Sequence, residues 1–337
     1  MPERPGAKRG ERGGELPREL YLEVTNWCNL RCRTCPQYFG MPEPFAHLSL
    51  EQARHIVDQL PRIDRAVLHG IGEPFLNPAL PDIVGLLKSR DAYVLFNSNG
   101  TVLSRRLVEP VVLAGLDEMR ISLDAATAST YETVRGRTMF DRIIANIRRC
   151  TALKRELGRE NPRLSLWMTG LQANVPELPG LIRLAAELEV GEVYLQRLVI
   201  SERGLATRET SLVTGEPATD ALAEAEREAA RLGVTLRSSG GMSGAAPAGT
   251  VADSPESPWR GCRRPWSLTY VTVHGAVLPC CIAPFTEVPY QSIVLGNVRS
   301  APLAEVWDGP SYRGWRSAML DGEPPEACRR CGTDWSL

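Results

Sequence analysis

Apolar residues along this chain follow two alternating rhythms. Short runs rich in β-branched and aromatic residues predict strands at Leu20–Val24, Ala66–His69, Tyr93–Asn97, Met119–Leu123, Leu164–Thr169 and Glu192–Leu198. Between them, apolar positions recur every three or four residues and predict helices at Ser49–Leu60, Pro78–Arg90, Ser104–Ala114, Phe140–Leu157 and Pro176–Glu189. Ser49 with Gln52 three positions on forms a capping box. A further helix, Asp220–Leu232, and a short strand, Val234–Arg237, complete the pattern. Strands alternating with helices predict a parallel α/β sheet. Six repeats are too few to close an eight-fold barrel, so the expected architecture is a partial (β/α)6 TIM-type barrel.

The texture changes twice. Residues 238–258 are rich in Gly, Ala, Ser and Pro, as in a linker or mobile loop. Beyond them, short β-like runs such as Leu268–Val273 lie among prolines and glycines and predict a small C-terminal α+β domain. The expected division is a flexible tail (1–18), a barrel (19–237), the linker (238–258) and a second module (259–337). The polar start has no apolar core of a signal peptide, and no run approaches a membrane span, so a cytoplasmic protein without membrane contact is expected. With 39 basic and 40 acidic residues the net charge is −1, which gives no electrostatic footprint for nucleic acid.

What changes the picture is nine cysteines at uneven spacing. In a chain without a signal peptide, clustered cysteines point to metal rather than to disulfides. The first cluster, Cys28-Asn-Leu-Arg-Cys32-Arg-Thr-Cys35, follows the first strand directly. Structural zinc takes four protein ligands, and His47 is the nearest histidine along the chain. A [4Fe–4S] cluster held by three thiolates keeps one iron open. A zinc site completed from elsewhere is the alternative.

This loop resembles the CxxxCxxC motif of the radical S-adenosylmethionine (SAM) enzymes. The resemblance implies a first [4Fe–4S] cluster on Cys28, Cys32 and Cys35 that chelates SAM and generates a 5′-deoxyadenosyl radical. It extends to His69-Gly-Ile-Gly72-Glu73-Pro74, similar to the family's GGEP segment, where Gly72 admits the ligand and Glu73 meets its ammonium. Ser98 and Asn99 end the third strand, Ser122 and Asp124 the fourth, with Arg135 following; these resemble the polar, ribose and carboxylate contacts to SAM. Gln196 on the sixth strand is a further candidate. One departure is Thr34, where many members carry an aromatic residue beside the adenine; Tyr38 and Phe39 are the aromatic residues nearest to replace it.

Four more cysteines, Cys262, Cys280, Cys328 and Cys331, are enough for a second site. By ligand type alone, tetrahedral zinc fits as well as a [4Fe–4S] cluster. The spacing through Gly275 to Cys280 and the closing Cys328-x-x-Cys331 resemble a shortened, twitch-type form of the SPASM auxiliary-cluster domain, which implies a second [4Fe–4S] cluster. Cys150 and Cys281 are left over. Cys150 falls on a predicted helix and is expected to pack. Cys281 adjoins a cluster ligand and is the candidate catalytic hydrogen-atom donor, with packing or ligation in place of Cys280 as alternatives.

Single-cluster relatives include dehydrogenases and epimerases of aminocyclitols and sugars in antibiotic pathways. The expected activity is therefore C–H abstraction from a small carbohydrate or aminocyclitol, with epimerisation ahead of dehydrogenation. An electron donor such as flavodoxin or ferredoxin is implied. Maturation of a ribosomal peptide is an alternative, set lower because the tail before residue 19 is short for a leader-binding domain. A zinc-stabilised binding module without activity is the non-enzyme alternative.

Overall fold

A computed structural model of the chain describes residues 15–211, 216–239, 259–329 and 331. Most of the expected tail and linker lies outside the described residues.

Seven strands run parallel in chain order: β1 (Glu19–Leu22), β2 (Arg65–Val67), β3 (Tyr93–Ser98), β4 (Glu118–Ser122), β5 (Arg163–Gly170), β6 (Glu192–Arg197) and β7 (Thr235–Ser238). Helices α1 (Leu50–Val57), α2 (Leu80–Lys88), α3 (Arg105–Leu113), α4 (Ala128–Arg135), α5 (Phe140–Glu156), α6 (Leu178–Glu187) and α7 (Glu216–Leu232) connect them. The Ser49–Gln52 capping box forms in both directions, at 3.1 and 3.0 Å, and starts α1. The pattern had not predicted α4; its signals are Thr127 as N-cap and Gly136, at φ 71°, as the left-handed residue that ends it.

The second module continues the same sheet. After α8 (Arg264–Ser267) come β8 (Leu268–Val271), β9 (Ala276–Leu278) and β10 (Gly296–Asn297), then α9 (Leu303–Trp307), α10 (Pro310–Asp321) and α11 (Glu326–Arg329). β8 pairs parallel with β1, and β9 and β10 add antiparallel strands, so the sheet order is β10-β9-β8-β1-β2-β3-β4-β5-β6-β7. β8 is buried at all four positions, as a strand covered on both faces must be. The sheet ends at β10 and β7 and stays open.

Strand parity sorts the side chains. On β4, Met119 and Ile121 join the apolar core, while Glu118, Arg120 and Ser122 point to the barrel interior. Barrel interiors are usually layers of branched apolar residues. Here the lowest layer is a ring of charge. Glu19 pairs with Arg65 at 3.4 Å, Arg163 bridges Glu118 and Glu192 at 2.9 and 2.8 Å, and Arg237 meets Glu192 at 3.5 Å.

Candidate active site

The strand ends and the cysteine loop enclose one cavity of about 210 Å3. Cys28, Cys32 and Cys35 line it, with Gly72, Glu73, Ser98, Asn99, Ser122, Arg135, Gln196 and Cys281. Asp124 does not reach the wall. It stands behind Arg135, paired with it at 2.5 Å, and accepts from the Thr169 amide at 2.7 Å. Arg135 in turn donates to Cys32 Sγ at 3.4 Å. Asp124 therefore positions a cation that reaches the cysteine loop.

The loop is shaped for thiolates. Cys28 Sγ accepts from the Leu30 amide at 3.4 Å and from Asn99 Nδ2 at 3.7 Å. Burial pushes the Cys28 thiol up to about 11 and the Cys35 thiol up to about 12, so both stay protonated until a cationic group takes the proton's place. Gly72 lies under the backbone carbonyls of Thr25 and Trp27, which a Cβ would strike. Its neighbour Glu73 is 1% exposed and accepts from Ser98 Oγ at 2.9 Å and from the Asn99 amide at 2.7 Å. Burial raises its pKa to about 7 despite these bonds.

The remaining predicted ligands gather in a separate small cavity of about 20 Å3 lined by Cys262, Cys280, Cys328 and Cys331, with Arg264 and Trp315. Burial raises the Cys280 and Cys328 thiols, and both stay above the ordinary thiol value. Among the described residues no group of three His, Cys, Asp or Glu is arranged to hold a single metal ion. Four cysteine thiols around one cavity are a donor set that a [4Fe–4S] cluster takes and that tetrahedral zinc takes as well.

Adjacent cysteines diverge. Cys280 faces the small cavity and Cys281 the large one, while Ile282 contributes to both. Cys150 is 1% exposed within α5, a packed thiol as expected. Tyr38 and Phe39 are 46% and 41% exposed and meet edge to face outside the cavity, whereas Thr34 lines it. Wall residues without a role expected from the sequence include His69, Arg120, Trp167 and Arg197. Arg120 had a signal, because it shares the inward parity of Ser122 and Asp124.

Comparison with known proteins bears on this arrangement. A radical SAM superfamily model matches residues 22–159, and a model of the SPASM iron–sulfur cluster-binding domain matches residues 262–332. The chain carries a radical SAM domain and a SPASM domain. Its radical SAM domain implies a [4Fe–4S] cluster and SAM, and its SPASM domain implies an auxiliary cluster. The AdoMet-dependent heme synthase of Methanosarcina barkeri is 25% identical over 328 residues, covering 94% of this chain and 88% of its own. The PqqA peptide cyclase of Gluconobacter oxydans is 26% identical over 324 residues, covering 95% and 84%. Among solved structures, Streptococcus suis SuiB bound to its precursor peptide SuiA superposes with a TM-score of 0.66 at 16% identity, covering 90% of this chain and 67% of SuiB. The radical SAM fold is thereby established. Among the described residues no helix is long and apolar enough to cross a membrane.

Proposed function

We propose that this radical SAM enzyme modifies a carbon–hydrogen bond of a peptide. The observation that carries the chemistry is the shared cavity of the three-cysteine loop and Cys281. The peptide substrate is supported by the peptide cyclase relative, which matches over most of both chains. Small-molecule epimerisation, expected first from the sequence, has less support from the relatives.

Cys28, Cys32 and Cys35 would hold the SAM-binding cluster, and Cys262, Cys280, Cys328 and Cys331 the auxiliary one. When bound, cluster and SAM together supply an electron and an abstractor strong enough for an unactivated C–H bond. Glu73 would receive the SAM ammonium, a cation that would favour the ionised carboxyl. Gly72 keeps the backbone close to the ligand, and Ser98, Asn99 and Gln196 supply polar partners. Ser122 and Arg135, the latter oriented by Asp124, would meet the ribose and carboxylate. A flavodoxin- or ferredoxin-type protein delivers the electron.

One observation favours a second reading. Cys281 presents a thiol to the substrate cavity, as epimerisation of a carbohydrate or aminocyclitol centre requires of a hydrogen donor; dehydrogenation of an alcohol has no such requirement. The test is anaerobic reconstitution, which should give about eight irons per chain for two clusters. Incubation with SAM and dithionite in D2O then compares a panel of short peptides with a panel of aminocyclitols. Peptides lighter by two hydrogens, formed with 5′-deoxyadenosine, are expected. Product from aminocyclitols alone would sink the peptide reading. Solvent deuterium in that product, absent with Cys281→Ala, would establish the second.

A further inference from the structure

The charged ring at the barrel floor is balanced: Glu19, Glu118 and Glu192 face Arg65, Arg163 and Arg237. Arg120 stands one layer above as a surplus cation. Its Nε donates to Glu118 at 2.7 Å, but Glu118 already serves Arg163 and accepts from the Tyr93 hydroxyl at 2.9 Å. Arg120 is 3% exposed, lines the large cavity, and its Nη2 has no hydrogen-bond partner. A buried guanidinium nitrogen left unsatisfied is costly, and native proteins rarely leave one without reason.

The side chain is also held still. Its guanidinium lies 4.3 Å from the Trp167 ring, and Trp167 stacks on Tyr194 at 4.1 Å with an interplanar angle of 12°. Glu118 and Trp167 thus hold the guanidinium of a residue that lines the cavity, with its Nη2 left unpaired. Two further wall groups have the same bias. Among the described residues Arg197 makes no ion pair, and His69 Nδ1 is buried without a hydrogen-bond partner. Burial and then the Arg120 charge hold the His69 pKa down at about 4, so the ring is neutral and adds no second full charge. Among the described wall residues Glu73 is the one carboxyl; it accepts from Ser98 and Asn99 and is the group proposed for the SAM ammonium.

We propose that Arg120 is a specificity-determining residue that receives a carboxylate of the substrate, with Arg197 as a second cation. Resting on the peptide reading, this names an acidic side chain or a free C-terminus as the group that enters the barrel. A planar, pre-oriented fork matches a carboxylate, and charge-assisted hydrogen bonds are the strong ones. A cationic aminocyclitol would meet repulsion at the same edge. Arg120 and Cys281 both line the large cavity, so a carboxylate docked on Arg120 shares that space with the Cys281 thiol.

Calorimetry on the reconstituted, SAM-loaded protein tests this with four probes. N-acetylglutamate amide carries a side-chain carboxylate and N-acetylglutamine amide is its neutral isostere. N-acetylalanine carries a terminal carboxylate, and glutarate has no peptide unit. At least one carboxylate should bind about tenfold more tightly than the amide, and Arg120→Gln should erase that preference. Arg120→Lys, which keeps the charge but not the fork, should retain a reduced preference and guards against a folding defect in the first variant. The side-chain and terminal probes separate the two peptide sources. Glutarate binding as well as either would keep the carboxylate and remove the peptide. Equal binding of acid and amide, no Arg120-dependent binding by any probe, or an Arg120→Gln effect confined to SAM affinity would overturn the proposal.

Discussion

Glu23 joins the two halves of the sheet, and its replacement by Gln should remove a pH-dependent loss of stability. Its carboxyl is 3% exposed and accepts from the Ile71 amide at 3.1 Å, the Val273 amide at 3.1 Å and the Tyr270 hydroxyl at 3.3 Å. One side chain therefore ties β1 to the glycine loop after β2 and to the turn between β8 and β9. Burial raises its pKa from 4.5 to about 7, outweighing those three bonds. A carboxyl whose pKa is higher folded than unfolded favours the fold in its protonated form. The contribution is complete below the unfolded value and is lost as pH rises through the folded one. A rise of this size is worth about 3 kcal/mol, or about 4 °C in the melting midpoint of a chain this long. Glu73, also raised to about 7, acts in the same direction, so the wild type carries two such contributions and Glu23→Gln one. Gln also turns its NH2 towards either the Ile71 or the Val273 amide, which lowers stability at every pH; the slope is the readout, not the level. The assay is the anaerobic thermal midpoint of cluster-loaded protein from about pH 5 to about pH 8. The wild-type midpoint should fall about 4 °C further than that of the variant. Parallel curves, or a wild-type midpoint that falls less than the variant's, would refute the reasoning.

Gly72→Ala sets a methyl group against the Thr25 and Trp27 carbonyls, backbone atoms that cannot turn aside. Iron content and SAM affinity should both drop, which iron assay and equilibrium dialysis check. Arg135→Gln strips the cation from Asp124, whose side chain is 1% exposed, and should cost about 3–5 kcal/mol; an unchanged melting midpoint would deny the pair a structural role. Cys150→Ala should leave the iron count unchanged. In the native protein Cys150 should resist iodoacetamide, because burial holds its thiol at about 12; rapid labelling would contradict the packing assignment.

The barrel was legible because its signals are local. Strand runs such as Tyr93–Ser98 and the Ser49–Gln52 box are written in neighbouring residues. The cysteine loop and the polar residues at strand ends were legible for the same reason, since a parallel sheet brings successive strand ends to one rim. Three features were not. α4 is short and polar, and periodicity over eight residues is weak. The docking of β8 on β1 joins residues some 250 apart and depends on tertiary contact alone. Arg120 looks like an ordinary strand arginine until the ring beneath it is seen to be balanced without it.

The divergence of Cys280 and Cys281 follows from that unforeseen docking. Because β8 lies parallel to β1, β9 turns back beside it, with Leu278 opposite Tyr270 and Tyr270 opposite Tyr21. The chain leaving β9 through Pro279 therefore descends along the barrel wall at the depth of Tyr21 rather than across an independent lobe. Two consecutive side chains at such a wall point to opposite sides of it, one towards the four-thiol cavity and one towards the substrate cavity. On a separately tethered module the same dipeptide could keep both thiols at its own cluster. The extension of the sheet is thus what brings the second cysteine to the large cavity, and it makes the four-thiol cavity a near neighbour of that space, with Ile282 lining both.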